Sequence, residues 1–204
     1  MKIKHLSVVL AIVLVAATVL LFSLKKISEN GHSTITSTAT GEAGIGGAFA
    51  LTNHKGAAVT DQTYVGKFML VFFGFTYCPD ICPADLLVMK NVMSQLSENE
   101  ATQVVPIFIT IDPARDTVEQ LNGYLSNFHP AIQGLTGTQE QVDAAVKAYR
   151  VYAKKVQDEK MTEYTMDHSA YMYLMGRDGK YITHFQHNEK PELILTEIRK
   201  NLKG

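Results

Sequence analysis

The sequence predicts an α/β fold: a mixed sheet flanked by helices, preceded by a β-hairpin, with a single N-terminal transmembrane helix. Three observations point to it. Apolar runs at FMLVFFGF (68–75), VVPIFITI (104–111) and AYMYLMG (170–176) have the length and composition of strands covered on both faces. Stripes of apolar residues at helical spacing lie between and after them. Ahead of all of these stand 19 residues without a charge, Leu6 to Leu24.

Each element has its own signal. AFALT and AAVT flank Asn53-His54-Lys55-Gly56, the pattern of a hairpin turn. Pro106 cannot donate a ladder hydrogen bond, so the 104–111 strand is expected to have an edge or a bulge there. The 170–176 strand turns through Arg177-Asp178-Gly179-Lys180 into YITHF. Leu86, Met89, Val92, Met93 and Leu96 repeat at helical spacing after Pro83, which suits a first helical position. Leu121, Tyr124, Leu125 and Phe128 form a second stripe, with Asp116 and Glu119 where a cap and its reciprocal partner belong. Val142, Ala145, Val146 and Tyr149 form a third, opened by Thr138 with Gln141. Ile194, Ile198 and Leu202 form a last helix after Pro191. These stripes read most simply as core faces, Met89 and Met93 included. The order β-β, β-α-β-α-α, β-β-α implies a mixed sheet with helices on both faces and is compatible with a thioredoxin-like fold.

A length of 204 residues suits one domain plus an appendage. The net charge of −1 offers no basic excess to neutralise phosphates, so nucleic acid is not an expected partner. The Leu6–Leu24 run, as a helix, spans roughly 28 Å, close to the hydrocarbon thickness of a bilayer. Val15-Ala16-Ala17 offers the alternative of a signal-peptide cleavage site, but the apolar run continues past it. Residues 1–27 are therefore read as an uncleaved membrane anchor. Residues 28–47, rich in Ser, Thr and Gly, read as a flexible linker to a soluble domain at 48–204. Flanking lysines nearly balance, but so short a head normally leaves the C-terminal domain outside. With no Arg-rich presequence, a bacterial cytoplasmic membrane with the domain on its periplasmic side is expected.

Both cysteines of the chain stand in FGFTYCPDICP, at positions 78 and 82. They lie where the 68–75 strand passes into a helix, and backbone N–H groups at a helix start favour thiolate over thiol. Because proline disfavours helical conformation in the residue before it, Pro79 and Pro83 are expected to keep Cys78 and Cys82 extended, with both sulfurs outward. A disulfide closing so short a loop would contribute only about 2 kcal/mol, so a purely structural bridge is a weak reading. A redox dithiol and a metal-binding dithiolate remain. A metal site needs a third donor, and His168 in TMDHSAYMYLM is the candidate: it precedes the 170–176 strand, where thioredoxin-like folds usually place a cis-proline. His54, His129, His184 and His187 have no such positional argument. Two soft thiolates and an imidazole suit Cu(I) and can hold Cu(II); zinc with Cys₂His and water is the alternative. Asp167 is a candidate to orient His168, or to cap local backbone.

GKFMLVFFGFTYCPDICP, FITIDPARDT, FHPAIQGLTGT, VKAYRVYAKKV and MDHSAYMYLM resemble, in order, the successive motifs of the Sco/SenC copper-binding proteins. The resemblance covers roughly Phe49 to Leu202. It implies a membrane-anchored thioredoxin-like domain that delivers copper to a cytochrome c oxidase subunit during assembly, with copper held by Cys78, Cys82 and His168. Tyr77 stands where many members have histidine, which removes an auxiliary donor and leaves the three ligands. A periplasmic thiol reductant or another copper chaperone is a further expected partner. The competing expectation is a thiol–disulfide reductase that keeps the oxidase cysteines reduced, with Cys78 and Cys82 as its redox pair. A third, a peroxide-reducing enzyme, rests on Thr76 alone. In DPARD (112–116), Asp116 is expected to cap a helix and Arg115 to pair with it, or to dock a partner.

Overall fold

The computed structural model describes residues 44–157 and 161–203. The anticipated anchor, residues 1–27, and residues 28–43 of the anticipated linker, 28–47, lie outside the described residues. Among the described residues no helix is long and apolar enough to cross a membrane.

Two strands dominate the core. β3 (Phe68–Gly74) and β4 (Val104–Thr110) are buried at every position, as their unbroken apolar sequences require of strands covered on both faces. They pair in parallel, Phe72 opposite Phe108. Around them lie β1 (Ala50–Asn53), β2 (Ala58–Thr60), β5 (Gln133–Thr136), β8 (Tyr171–Met175) and β9 (Tyr181–Gln186). The seven form one mixed sheet in the order β2-β1-β5-β4-β3-β8-β9. β6 (Ala153–Val156) and β7 (Thr165–His168) form a separate antiparallel pair.

Pro106 behaves as anticipated. β5 covers β4 only from Ile107 to Ile109, so no ladder on that side needs the missing N–H.

The helices are α1 (Ile81–Gln95), α2 (Glu98–Ala101), α3 (Val118–Leu125), α4 (Gln139–Ala148) and α5 (Pro191–Leu202). α4 opens with the expected Thr138–Gln141 capping box, and α5 has Pro191 in its first turn. α1 and α5 pack against each other, while α3 packs on β5 and α4 on β1.

Two expectations about helix starts are corrected. Thr117, not Asp116, caps α3, its hydroxyl accepting from the Gln120 N–H at 3.2 Å. Asp116 is fully buried and turns inward instead. α1 begins at Ile81, so Pro83 is its third residue and Cys82 is helical rather than extended. The first four N–H groups of a helix lack intrahelical acceptors, so proline costs no bond anywhere in that turn. The helix then overrides the local preference at Cys82.

Candidate metal centre

The end of β3 and the start of α1 place the two cysteines differently. Cys82 has no solvent exposure, whereas Cys78 is half-buried; the sulfurs do not both point outward. Gly74 makes room for the buried thiol. A Cβ there would stand 2.7 Å from Cys82 Sγ and 2.9 Å from Phe108 Cε2, closer than carbon tolerates. Glycine inside an apolar strand was the sequence signal for this close approach.

Both cysteines are free thiols. Asp80 precedes α1 without a side-chain cap, and the Cys82 N–H donates instead to Cys78 Sγ at 3.4 Å. The Cys82 thiol and the N–H groups of Cys82, Asp80 and Ile81 together pull the Cys78 thiol down to about 5 against the opposing effect of burial. The same thiol–thiol hydrogen bond, burial and the neighbouring Cys78 charge push Cys82 far up. Cys78 is thus the thiolate and Cys82 the thiol of a coupled pair. Asp85, one turn after Cys82, adds to the upward push; it is buried and accepts from His187 Nδ1 and the Asn188 N–H.

His168 closes β7, and its ring meets this pair. Nε2 lies 3.8 Å from Cys82 Sγ. Nδ1 lies 3.0 Å from the carbonyl oxygen of Ser169. A carbonyl only accepts, so Nδ1 carries the proton and the Nε2 lone pair faces the sulfur. Phe75 and Phe72 border the ring, their centroids 6.0 Å and 6.5 Å from it. The anticipated partner Asp167 is not the group on Nδ1. Successive residues of a strand point to opposite faces, and Asp167 is exposed on the other one. A backbone carbonyl leaves no trace in a sequence, so Ser169 had no signal.

The predicted donors Cys78, Cys82 and His168 are thus brought together. Among the described residues no three His, Cys, Asp or Glu groups stand already closed around one point. The donor chemistry nonetheless fits a soft ion: a ready thiolate, a second thiol whose proton an ion can displace, and an imidazole nitrogen with a free lone pair.

The DPARD segment lies beside this centre. Asp116 accepts from the Thr76 N–H at 3.0 Å and from the hydroxyls of Thr76 and Thr110, each at 2.6 Å. Burial raises its carboxyl against those hydrogen bonds. The Thr76 hydroxyl is therefore committed to Asp116, which removes the one feature behind a peroxide-reducing site. Arg115 pairs with Asp112 rather than with Asp116. Among the described residues the other histidines have structural partners: His54 Nδ1 accepts from the Gly134 N–H, His129 Nδ1 from the Ala131 N–H, and His184 meets the Tyr181 hydroxyl at 2.6 Å.

Comparison with known proteins bears directly on this arrangement. The family profile described as SCO1/SenC matches residues 37–203. A mitochondrial human protein, the SCO1 homolog, is 40% identical over 160 residues, covering 78% of this chain and 53% of that protein. The chain therefore spans about half the length of that relative. The structure of ScoI from Bradyrhizobium japonicum with copper bound is 43% identical and superposes with a TM-score of 0.71, covering 77% of this chain and 99% of that one. Copper-bound ScoI from Arabidopsis thaliana is 38% identical with a TM-score of 0.72, over 78% of this chain and 98% of that one. With a matching family profile over residues 37–203, a relative 40% identical over 78% of this chain and the same sheet architecture, the chain belongs to the SCO1/SenC family.

Proposed function

We propose that this protein is a copper chaperone for cytochrome c oxidase assembly, holding copper through Cys78, Cys82 and His168. The observation that carries the reading is the 3.8 Å approach of His168 Nε2 to Cys82 Sγ, with Cys78 Sγ joined to the same turn by the Cys82 N–H. Copper is cargo here. Cys78 supplies the first thiolate, Cys82 gives up its proton on loading, and His168 adds nitrogen. Cys78, the more exposed sulfur, is the one an acceptor thiolate on an oxidase subunit reaches first. Exchange then proceeds through a species in which donor and acceptor sulfurs share the ion. An oxidised Cys78–Cys82 pair has no thiolate to offer, so loading requires the dithiol. A periplasmic thiol reductant or a second copper chaperone is the partner this requirement calls for.

The thiol–disulfide reductase reading uses the same unequal pair, Cys78 as nucleophile and Cys82 as resolving thiol. It gives His168 no task, and the copper reading does. We place the protein in a bacterial cytoplasmic membrane, with residues 1–27 as anchor, 28–47 as linker and the 48–204 domain on the periplasmic side. The test is titration of the reduced full chain, in mild detergent, with Cu(I). A single copper per chain with sulfur and nitrogen scatterers in X-ray absorption is the expected result. Copper bound through sulfur alone, or not retained, overturns the proposal.

A further inference from the structure

Arg115 stands between the two halves of the copper site and takes no part in it as a ligand. Its guanidinium carbon lies 4.7 Å from the ring centroid of Tyr77, the residue before Cys78. It lies 3.7 Å from the ring centroid of Tyr164, which leads into β7 and His168. It is also 5.8 Å from the ring of Phe75, which meets the His168 ring in a T-shaped contact. The guanidinium fork has two further attachments, Nε donating to Asp112 Oδ2 and Nη1 to the Tyr164 carbonyl at 2.9 Å. The Tyr164 hydroxyl donates to the other Asp112 oxygen at 2.9 Å, so Asp112, Arg115 and Tyr164 close a ring of contacts.

The β6–β7 hairpin is not hydrogen-bonded into the main sheet. A two-stranded hairpin is marginal by itself, so its place depends on tethers of this kind. Arg115 is also a costly way to fill space. Its side chain is only 15% exposed, and Nη2 is buried without an acceptor among the described residues. An apolar residue of the same length would avoid that cost, but it could not reach Asp112 and the Tyr164 carbonyl from one plane.

We propose that Arg115 is a positioning residue for the copper site: stacked against both Tyr77 and Tyr164, it sets how closely the hairpin brings His168 to the cysteines. The inference rests on the copper reading above.

The test compares the full chain, in mild detergent, with Arg115→Met, Arg115→Lys and Tyr164→Leu. Tyr164→Leu removes the ring contact and the hydroxyl bond of that tether, keeping only the backbone carbonyl, from a partly exposed position, and serves where Arg115→Met does not fold. Hydrogen exchange in the metal-free, reduced protein should quicken about tenfold or more at the β6–β7 amides, with β3 and β4 unchanged, because charge-assisted bonds and ring contacts are lost. After loading with Cu(I), release should quicken on the order of 10–100-fold, the usual cost of losing a group that orients a ligand, and nitrogen scattering should weaken. Arg115→Lys should behave like Arg115→Met, since an ammonium has no planar fork. Unchanged hairpin exchange in Arg115→Met and Tyr164→Leu overturns the proposal. So does a loosened hairpin with copper release and nitrogen scattering as in the unaltered protein. An unaltered protein whose copper carries no nitrogen donor sinks the copper reading itself; one that has the donor, with variants that keep it, sinks this inference alone.

Discussion

Cys82 Sγ meets His168 Nε2 at 3.8 Å across a sequence separation of 86 residues. The thiol is held by the first turn of α1 and the imidazole by the last residue of β7. In the metal-free protein the pair is a thiol facing an acceptor nitrogen. On the copper reading proposed above, removal of that one proton turns the pair into two donors facing one point without stranding a buried charge.

His168→Ala separates carrying copper from exchanging thiols. The half-buried thiolate of Cys78 and the thiol of Cys82 do not need the imidazole to react with a disulfide. Cu(I) affinity should fall by at least the roughly 10–100-fold that loss of an outer-shell group costs, since here the ligand itself goes. Competition with a chromophoric chelator measures the first quantity and reduction of a model disulfide the second. Equal affinity in the variant and the unaltered protein rules His168 out as a ligand.

The reactivity of the two sulfurs should split with pH. Cys78 is lowered to about 5, so its thiolate fraction is high above that value and falls as the pH drops through it. Cys82 is pushed the other way and is buried, so it stays protonated and shielded. Alkylation of the reduced metal-free chain, followed by mass spectrometry, should label Cys78 alone, with the rate dropping below a midpoint near 5. Equal labelling of both, or a midpoint at the ordinary thiol value, contradicts the asymmetry.

Much of this was legible in the sequence, and the illegible parts share a cause. β3, β4 and β8 announce themselves because burial on two faces demands uninterrupted apolar runs. β5 is four residues, QGLT, and β6 is AKKV with three exposed positions, so neither has a pattern long enough to exceed its surroundings. The hairpin that carries His168 was therefore invisible as a hairpin, although His168 itself stood out. The cysteine pair was plain from its spacing, but its geometry was not. Local proline preferences argued for extended cysteines, and the cooperative start of α1 outweighed them at Cys82. Asp116 was misassigned because capping is a local rule, whereas its three donors come from Thr76 and Thr110 on neighbouring strand ends.

Gly74→Ala tests how tightly the buried sulfur is seated. The added methyl meets Cys82 Sγ at 2.7 Å and Phe108 at 2.9 Å, and Gly74 is paired with Thr110 of β4 and accepts from the Ile111 N–H, so the backbone has little room to yield. Overpacking of this kind costs about 1–3 kcal/mol. The relief available is displacement of the Cys82 side chain, so copper affinity should fall together with the urea midpoint. Gly123, where an added methyl meets nothing within 4 Å, is the control, and Gly123→Ala should leave the copper site intact.

Away from the site, part of the acid limb of stability should come from Glu100. Glu100 closes the capping box of α2 by accepting from the Ser97 N–H, and both its oxygens accept from Arg199 on α5, at 3.0 and 3.3 Å. Arg199 also donates to the Gln95 carbonyl at the end of α1, so three helices meet at this pair. The Arg199 bond first, and the Ser97 N–H second, lower Glu100 from 4.5 to about 2. A carboxyl depressed by folding binds fewer protons in the native than in the unfolded chain between those values. Its contribution is therefore complete above about 4.5 and drains away as the pH falls towards 2. The pair is partly exposed, so the contribution is modest and weakens in high salt. Urea midpoints measured across that range should fall less steeply for Glu100→Gln than for the unaltered protein, and the difference should shrink in molar salt. Parallel acid limbs would mean that α5 is held by its apolar face, Ile194, Leu195 and Ile198, without help from this contact.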